Sequence, residues 1–255
     1  MTKHPSSVLI TGASSGIGEA LAMVYAGKTK NLAINGRDAN RLKMVEAACK
    51  HKKASINCRT VDVVDQNGMR QWIETIDDSA PLDLVIANAG ISAGSGSSGE
   101  TDRQAREIFS INFEGMLNTI HPAIDRMRQR EKGQIAIMSS LAGFRGLPGA
   151  PAYSASKAAA RTYGEALRGA LQRHKINVSV VCPGFVHTRM TARNQFPMPL
   201  IMDAERAALI IYRGLQGNKP MIAFPMASHF LSWFMGILPN RLTDPIMNAM
   251  PNKYD

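Results

Sequence analysis

Short apolar runs alternate with helical segments along most of this 255-residue chain. The helical segments are amphipathic or rich in Ala and Leu, as in residues 66–78 and 205–217. Strands that are separated by helices pair in parallel, because each helix returns the chain to the same end of the sheet. The sequence therefore predicts an α/β fold: one Rossmann-type domain over residues 1–255, with a doubly wound parallel sheet and helices on both faces. The predicted strands are residues 6–12, 31–36, 55–63, 82–90, 134–140, 176–188 with a break at Pro183, and 220–225.

The composition is typical of a soluble globular protein with a large core, since 45% of the residues are hydrophobic and 20% are charged. The chain starts MTKHPSSVLITG, which lacks the apolar segment of a secretory signal, and we expect a cytoplasmic protein. Cys49, Cys58 and Cys182 are too few and too scattered for a disulfide framework or a metal site. We therefore expect reduced thiols and no metal.

The net charge of +10 raises the question of a polyanionic partner. Much of the positive charge lies in residues 28–53 and 126–132, which contain no interleaved aromatic side chains and no nucleic-acid motif. A solvated basic face is the favoured interpretation, and we expect no nucleic-acid partner. Attraction of a phosphorylated cofactor is a further use of this charge.

A glycine-rich turn joins the first predicted strand to the first helix, as Gly12-Ala13-Ser14-Ser15-Gly16-Ile17-Gly18. Free amide groups at a helix N-terminus attract phosphate, and glycines let it approach closely. The sequence therefore indicates an anion site at this turn. The alternative is a tight connection between strand and helix with no ligand.

The second predicted strand ends in Asn35-Gly36-Arg37, where dinucleotide-binding folds place the group that contacts the adenosine ribose. An acid there would hold a ribose 2′-hydroxyl, whereas an Arg suits a 2′-phosphate. No carboxylate precedes Arg37, which favours NADP(H) and makes NAD(H) the less favoured cofactor. The alternative is a helix-capping loop with a solvated Arg37, in which Asp38 is the N-cap.

Ser140, Tyr153 and Lys157 bring three proton-handling groups into one short segment. Residues 153–171 predict a helix on which Tyr153 and Lys157, four residues apart, share a face. We expect the fixed ammonium to lower the pKa of the phenol, so that Tyr153 acts as a general acid or base. Ser140 ends a predicted buried strand, where open α/β sheets bind ligands. The alternative is an ordinary helix-surface pair with a solvated Lys157.

Several segments outside this centre also carry candidate residues. Asn112 is a polar residue in the apolar turn FSINFEGM of a predicted helix over residues 102–130, and it would bind backbone or water. The alternative is a hydrogen-bonded core Asn112 without a further role. The Gly- and Ser-rich residues 92–101 predict a mobile loop at the edge of the site.

Residues 189–202 and 226–255 are predicted to be a substrate-side loop and a C-terminal extension. The first is rich in Met, and the second contains the apolar stretch FLSWFMGIL. These segments would form a lid and wall for a bulky apolar substrate, because flexible Met side chains suit adaptable pockets. The alternative is that they complete the core or a subunit interface.

Taken together, four motifs make residues 6–225 resemble the short-chain dehydrogenase/reductase family. They are TGASSGIG at residues 11–18, NAG at 88–90, S-x12-Y-x3-K at 140–157 and PGFVHT at 183–188. The second motif is preceded by Ala87, where the family often has Asn, and this is a mild departure.

The resemblance implies a catalytic set of Asn112, Ser140, Tyr153 and Lys157. It also implies that Asp62 meets the adenine and that Asn88 supports the central sheet. Lys157 would bind the nicotinamide ribose, and Thr188 the carboxamide. With Arg37, the predicted cofactor-binding residues are Gly12, Ser14, Ser15, Ile17, Gly18, Arg37, Asp62, Val63, Asn88, Ala89, Gly90, Tyr153, Lys157, Pro183, Gly184, Val186 and Thr188.

The reaction that the resemblance implies is reversible hydride transfer between a nicotinamide and a carbonyl carbon. In it Tyr153 protonates the developing alkoxide, Ser140 stabilises it, and Asn112 holds a water for proton relay. The expected partners are a small-molecule alcohol or carbonyl, of small to medium size and apolar, and further copies of the chain in a homodimer or homotetramer. Less favoured alternatives are a nonenzymatic redox sensor and a reductase of lipophilic carbonyls in peripheral membrane contact.

Overall fold

A computed structural model of the chain describes residues 4–92, 100–194 and 196–248. In these residues seven strands form one parallel sheet in the order β3-β2-β1-β4-β5-β6-β7. The predicted fold class is confirmed. The strands are β1 (Ser7–Ile10), β2 (Asn31–Asn35), β3 (Ser55–Arg59), β4 (Leu84–Ala87), β5 (Gly133–Met138), β6 (Ile176–Pro183) and β7 (Met221–Phe224).

Helices cover both faces of the sheet, because alternate residues of the inner strands point to opposite sides and both sides are apolar. The helices of the described residues are α1 (Gly16–Ala26), α2 (Ala39–Lys50), α3 (Gln66–Ser79), α4 (Asp102–Phe109), α5 (Gly115–Gln129), α6 (Pro151–Leu171), α7 (Ala204–Gln216), α8 (Met226–Ile237) and α9 (Asn240–Asn248). In β1, Val8 and Ile10 pack with α1, α2 and α7, whereas Leu9 packs with α3, α5 and α6.

The strand order reverses between β1 and β4, which lie side by side although β2 and β3 separate them in sequence. In a doubly wound sheet the connections on either side of such a point leave in opposite directions and open a crevice at the carboxyl ends of the strands. The glycine turn after β1 and the NAG motif after β4 both lie at this end.

The predicted strand and helix bounds differ from the observed ones by several residues, and two of the differences affect candidate site residues. The third strand ends at Arg59, so Asp62 lies in the following loop and not at a strand end. The helix predicted over residues 102–130 consists of α4, a π-helical segment Ser110–Glu114, and α5. Most of the loop predicted over residues 92–101 lies outside the described residues.

The two segments that the motifs do not explain also have defined structure. Within residues 189–202, Thr191–Arg193 form a 3-10 turn, and Met202 forms a parallel bridge with Val186. Residues 226–248 form α8 and α9. Their assignment to the substrate side stays a prediction. No helix among the described residues is long and apolar enough to cross a membrane.

An ion pair below the site ties α3 and α5 to the start of β4. Asp77, 6% exposed, accepts hydrogen bonds from Arg130 Nη1 (2.8 Å) and from the backbone N–H of Leu82 (2.8 Å). Arg130 Nη2 also donates to the Leu82 carbonyl at 2.7 Å. Because each group has a partner, the burial of this charge is compensated.

We expect Asp77→Ala to lower the free energy of unfolding by about 3 kcal/mol, because it leaves a partly buried guanidinium and a backbone N–H without their acceptor. Urea unfolding followed by circular dichroism measures the change. Asp78→Ala is the matched control: Asp78 pairs with Arg126 at 2.9 Å but is 63% exposed. Its loss should cost less than about 1 kcal/mol. Equal effects of the two substitutions would contradict the structural role given to Asp77.

Candidate active site

The glycine turn after β1 requires glycine for two physical reasons. Gly12 and Gly16 have φ angles of 65° and 61°, in the left-handed region that other residues rarely adopt. A Cβ on Gly12 would lie 2.7 Å from Ala89 Cα, and a Cβ on Gly18 would lie 2.2 Å from the Gly12 carbonyl oxygen. The turn, the first helix and the NAG segment therefore approach each other backbone to backbone.

The N-terminus of α1 fits a phosphate-bearing group. Its N-cap residue, Ser15, makes no side-chain capping hydrogen bond. The first-turn amide groups of a helix have no partner within the helix, and together with the helix dipole they favour an anion. Gly36 lies against Ser14, since a Cβ on Gly36 would be 2.8 Å from Ser14 Cβ. Ser14, Ser15, Ile17 and the end of β2 thus belong to one surface.

Asn88 and Thr11 hold the ends of β1 and β4 together. Asn88 Nδ2 donates to the carbonyls of Thr11 (2.9 Å) and Gly12 (3.2 Å). The Thr11 hydroxyl oxygen accepts from the backbone N–H groups of Asn88 (3.1 Å) and Ala89 (3.3 Å). Asn88 therefore bonds to the central sheet as expected, and its side chain is occupied by the protein.

The end of β2 presents a positive group and no free carboxylate. Asn35 is buried, and its amide donates to the carbonyls of Arg59 (3.3 Å) and Val61 (2.7 Å). Asp38 caps α2 by accepting from Arg41 N (2.9 Å), and it pairs with the Arg41 guanidinium (2.9 Å). The hydrogen bond from Arg41 N is the main cause that holds the Asp38 pKa low. Arg37 is exposed, and no ion pair joins it to another described residue.

The predicted adenine contacts lie in the loop after β3. Asp62 is exposed, and its Oδ1 accepts from Val64 N at 3.2 Å. Val63 is buried against Gly115, where a Cβ would be 2.5 Å from a Val63 methyl group, and its carbonyl accepts from Asn118 Nδ2 at 3.0 Å.

The PGFVHT segment lies over the glycine turn. A Cβ on Gly16 would be 2.8 Å from the Thr188 methyl group. Gly184 N donates to the Phe224 carbonyl at 2.7 Å, which attaches the segment to β7 directly after Pro183 ends β6. Val186 is 3% exposed. The Thr188 hydroxyl lies 3.2 Å from the Thr191 hydroxyl, which fixes its position within the turn.

Asn112 lies in the π-helical segment between α4 and α5, a type of irregularity that is frequent at functional sites. It is 2% exposed. Its Oδ1 accepts from Ile91 N (2.8 Å), and its Nδ2 donates to the Ile91 carbonyl (2.9 Å) and to Ser156 Oγ (3.0 Å). The side chain thus joins the segment after Gly90 to helix α6, and Oδ1 keeps one free lone pair.

Lys157 is buried in the same place. Its Nζ donates to the Met138 carbonyl at 2.9 Å, and a Cβ on Gly90 would lie 3.3 Å from Nζ and 3.1 Å from Asn112 Oδ1. Burial lowers the pKa of Lys157 to about 8 from its ordinary 10.5. The alternative of a solvated Lys157 is therefore wrong.

Tyr153 shares this face of α6, with its ring centroid 5.8 Å from Lys157 Nζ. Burial raises the pKa of Tyr153, and a hydrogen bond with Ser140 partly opposes that rise. The prediction of a lowered pKa for Tyr153 is wrong for the protein alone, because burial has the larger effect. Low-dielectric surroundings disfavour the phenolate, and the same burial also weakens the positive charge of Lys157.

Ser140 is buried at the end of β5, where it caps the short turn Leu141–Gly143. Its hydroxyl accepts from Ala142 N (3.1 Å) and donates to the Pro183 carbonyl (3.3 Å). The neighbouring Ser139 hydroxyl donates to the Lys157 carbonyl (2.7 Å), so β5 and α6 are bonded next to the site.

Glu100 is a residue near the site that sequence reasoning missed. Its Oε2 accepts from Ala152 N at 2.6 Å, one residue before Tyr153 in the first turn of α6. Helix α6 has no side-chain N-cap of its own, so this carboxylate takes that place and interacts favourably with the helix dipole. The other oxygen, Oε1, is buried without a hydrogen-bond partner. Because the two partners are 52 residues apart, no local capping pattern signals the contact.

Contacts among the described residues thus connect Lys157 with Gly90, Tyr153 and Asn112 at the carboxyl ends of the strands, and comparison with known proteins gives the family of the chain. The short chain dehydrogenase family model matches residues 6–197. An uncharacterized oxidoreductase of Myxococcus xanthus is 33% identical over 239 residues, covering 93% of this chain and 94% of the relative.

Two solved structures have the same fold. A short-chain dehydrogenase from Sphingobium yanoikuyae in complex with NADPH has a TM-score of 0.80 and 22% identity, over 96% of each chain. One from Mycobacterium paratuberculosis bound to NAD has a TM-score of 0.75 and 23% identity, over 85% of this chain and 94% of the other. From the family match and the identity to the relative, the chain belongs to the short-chain dehydrogenase/reductase family of oxidoreductases.

Proposed function

We propose that this protein interconverts an alcohol and a carbonyl with NADP(H), and that Tyr153 is the general acid and base. The observation that carries the proposal is the convergence of Tyr153, Ser140 and a buried Lys157 beside a glycine turn that suits phosphate. An ordinary helix-surface pair would not bring together four such residues from three separate elements. The fourth residue is Asn112, which is attached to helix α6 by its hydrogen bond to Ser156.

A bound nicotinamide dinucleotide would give or accept the hydride. In the proposal its phosphates bind at Gly12, Ser14, Ser15, Ile17 and Gly18, because these residues form the uncapped N-terminus of α1 and the turn before it. The adenine side lies at Asp62 and Val63, and the nicotinamide side at Asn88, Ala89, Gly90, Lys157, Pro183, Gly184, Val186 and Thr188. One structural neighbour contains NADPH and another NAD, which supports a cofactor of this class.

The proton-handling steps are assigned to four side chains. Tyr153 donates its phenolic proton to the substrate oxygen during reduction and takes one back during oxidation. The Ser140 hydroxyl turns from Pro183 to donate to the same oxygen. Lys157 in its charged form favours the phenolate. Asn112 positions Ile91 and α6, and its free lone pair is available for a water that relays protons.

The test of the reaction class is a panel of small and bulky carbonyls and alcohols with NADPH, NADH and their oxidised forms. Turnover of at least one alcohol–carbonyl pair, followed by the change in nicotinamide absorbance, is the expected result. Binding of cofactor with no turnover on any compound would favour the nonenzymatic redox sensor.

We expect Tyr153→Phe to lower kcat by roughly 100- to 10,000-fold while cofactor affinity is kept, because only the proton donor is removed. Stopped-flow turnover and cofactor fluorescence measure the two quantities. Tyr163→Phe is the control on the same helix; that phenol bonds to His121 at 2.8 Å, away from the crevice. Turnover at the native rate in Tyr153→Phe would contradict the proposed mechanism.

The pKa of Lys157 predicts a pH dependence for cofactor binding. With a pKa of about 8, the side chain is charged below that pH and neutral above it. If its ammonium holds the ribose, the Kd for NADPH should rise above about pH 8, by at most about tenfold per pH unit. Fluorescence titrations from about pH 6 to about pH 10 test this. Lys157→Met should show no such rise, and the same rise in that variant would assign the titration to another group.

Arg37 is proposed to select NADP(H). The uncharged Asn35 side chain bonds to the Val61 carbonyl, and the Asp38 carboxylate pairs with Arg41, which partly compensates its negative charge. Arg37 is the exposed cation next to them, and an Arg–phosphate bond is charge-assisted.

We expect Arg37→Ala to lower kcat/KM with NADPH by roughly ten- to a hundredfold and to leave kcat/KM with NADH unchanged. Lys43→Ala removes the same charge from the exposed side of α2 and serves as the control. A similar loss in both variants would indicate a general electrostatic effect. Equal use of NADH and NADPH by the native enzyme would contradict the assignment.

A further inference from the structure

Helix α8 has its apolar side turned outward. The large hydrophobic residues of α8 and α9 that face solvent are each 43% to 71% exposed. We name this set the C-terminal apolar face, and its members are Met226, Phe230, Leu231, Trp233, Phe234, Ile237, Leu242 and Ile246. On α8, Ser228, His229 and Ser232 are only partly exposed. A helix on the surface of a soluble protein normally has the opposite arrangement.

The C-terminal apolar face is larger than an incidental surface patch. At these exposures its eight side chains present on the order of 800 Å² of apolar surface, since an aromatic side chain alone has about 150–250 Å². The largest apolar patch on a typical monomer is roughly 300–600 Å². The rings of Phe230 and Phe234 are parallel with centroids 6.3 Å apart, and Trp233 lies 6.0 Å from Phe230, so these three side chains form one aromatic cluster within the face.

The inner side of α8 and α9 is attached to the segment between Ser140 and Tyr153. Gly236 allows close approach, because a Cβ there would be 2.5 Å from the Phe144 carbonyl oxygen, and the His229 ring packs on the Phe144 ring at 5.3 Å. Arg145 donates to Asn240 Oδ1 (2.7 Å) and Thr243 Oγ1 (2.5 Å). The helices with the C-terminal apolar face therefore contact the segment that links the candidate catalytic residues Ser140 and Tyr153.

The charges around this face fit an anionic surface. Helix α8 contains no Asp, Glu, Lys or Arg. On α9, Asp244 lies 3.4 Å from Arg145, whereas the exposed Arg241 forms no ion pair with a described residue. The whole chain carries +10, so two copies repel each other at long range while an anionic surface attracts the protein.

We infer that α8 and α9 form a docking element that binds an anionic phospholipid surface, with the C-terminal apolar face in the interfacial region. The 12 residues of α8 extend about 18 Å, less than the roughly 30 Å of a bilayer core, so the helix lies along the surface. Aromatic and aliphatic side chains bury at the boundary between headgroups and acyl chains, and basic groups pair with anionic lipid. The inference concerns binding, and it does not depend on the proposed reaction.

The chain contains a built-in reporter for this contact. It has two tryptophans, of which Trp72 is 1% exposed and donates to Asn57 Oδ1 at 3.0 Å, and Trp233 is 46% exposed. Vesicles of phosphatidylcholine with phosphatidylglycerol should therefore shift the emission of Trp233 to the blue and carry the full-length protein upward in a density gradient. Added salt should weaken binding, and vesicles of phosphatidylcholine alone should bind less.

The decisive comparison uses two double variants. Phe230→Gln with Phe234→Gln should weaken partitioning to anionic vesicles about a hundredfold, because two side chains no longer bury in the interface. Met44→Gln with Leu209→Gln removes two exposed apolar side chains from α2 and α7 and should bind as the native protein does. Thermal unfolding checks that both variants are folded.

Three results would overturn the inference. The first is no binding of the native protein to anionic vesicles, and the second is equal binding by both double variants. The third is a dimer in light scattering that Phe230→Gln with Phe234→Gln converts to a monomer while vesicle binding is absent, since the occupant of the face would then be a second copy.

Discussion

The buried ammonium of Lys157 is the constraint on which the arrangement of the site depends. Its Nζ donates a hydrogen bond to the Met138 carbonyl, and its surroundings disfavour the charge strongly enough to lower the pKa to about 8. Helix α6 must lie close to β5 to bury it. Gly143 makes this possible, because a Cβ there would be 2.8 Å from the Lys157 carbonyl carbon. Gly90 leaves space on the other side.

Burial of Tyr153 beside Lys157 explains why the phenol is not ionised in the protein alone. Both groups lie in surroundings that favour their neutral forms, so a charge on either one is costly. A site of this kind is suited to moving one proton between neighbouring groups, since binding of another molecule changes the protonation equilibrium of both side chains. Ser140 and Asn112 hold fixed hydrogen bonds around the pair, and these bonds limit the reorganisation needed.

The features that were predictable from the sequence are those that depend on residues close to each other in the chain. The strands appear as apolar runs, the tight turn before α1 as a cluster of glycines, and the shared face of Tyr153 and Lys157 as a spacing of four residues. Each depends on neighbours in the chain. The bonds of Asn112 in the π-helical segment were not predictable in this way, because its partners Ile91 and Ser156 are 21 and 44 residues distant. The Glu100 contact with Ala152 is hidden for the same reason.

The outward orientation of α8 also follows from a contact that a sequence pattern does not contain. Helical spacing identifies an apolar side and a side with small polar residues, but it does not say which side faces the protein. Ser228, Ser232 and Gly236 recur every four residues and so form one narrow ridge. The Gly236 contact with the Phe144 carbonyl brings the backbones so close that only small side chains fit along this ridge. Met235 is the large side chain of α8 that is buried, at 8% exposure. The other large apolar side chains of α8 lie on the outer side, and their exposure is a consequence of how the helix is attached to the segment before Tyr153.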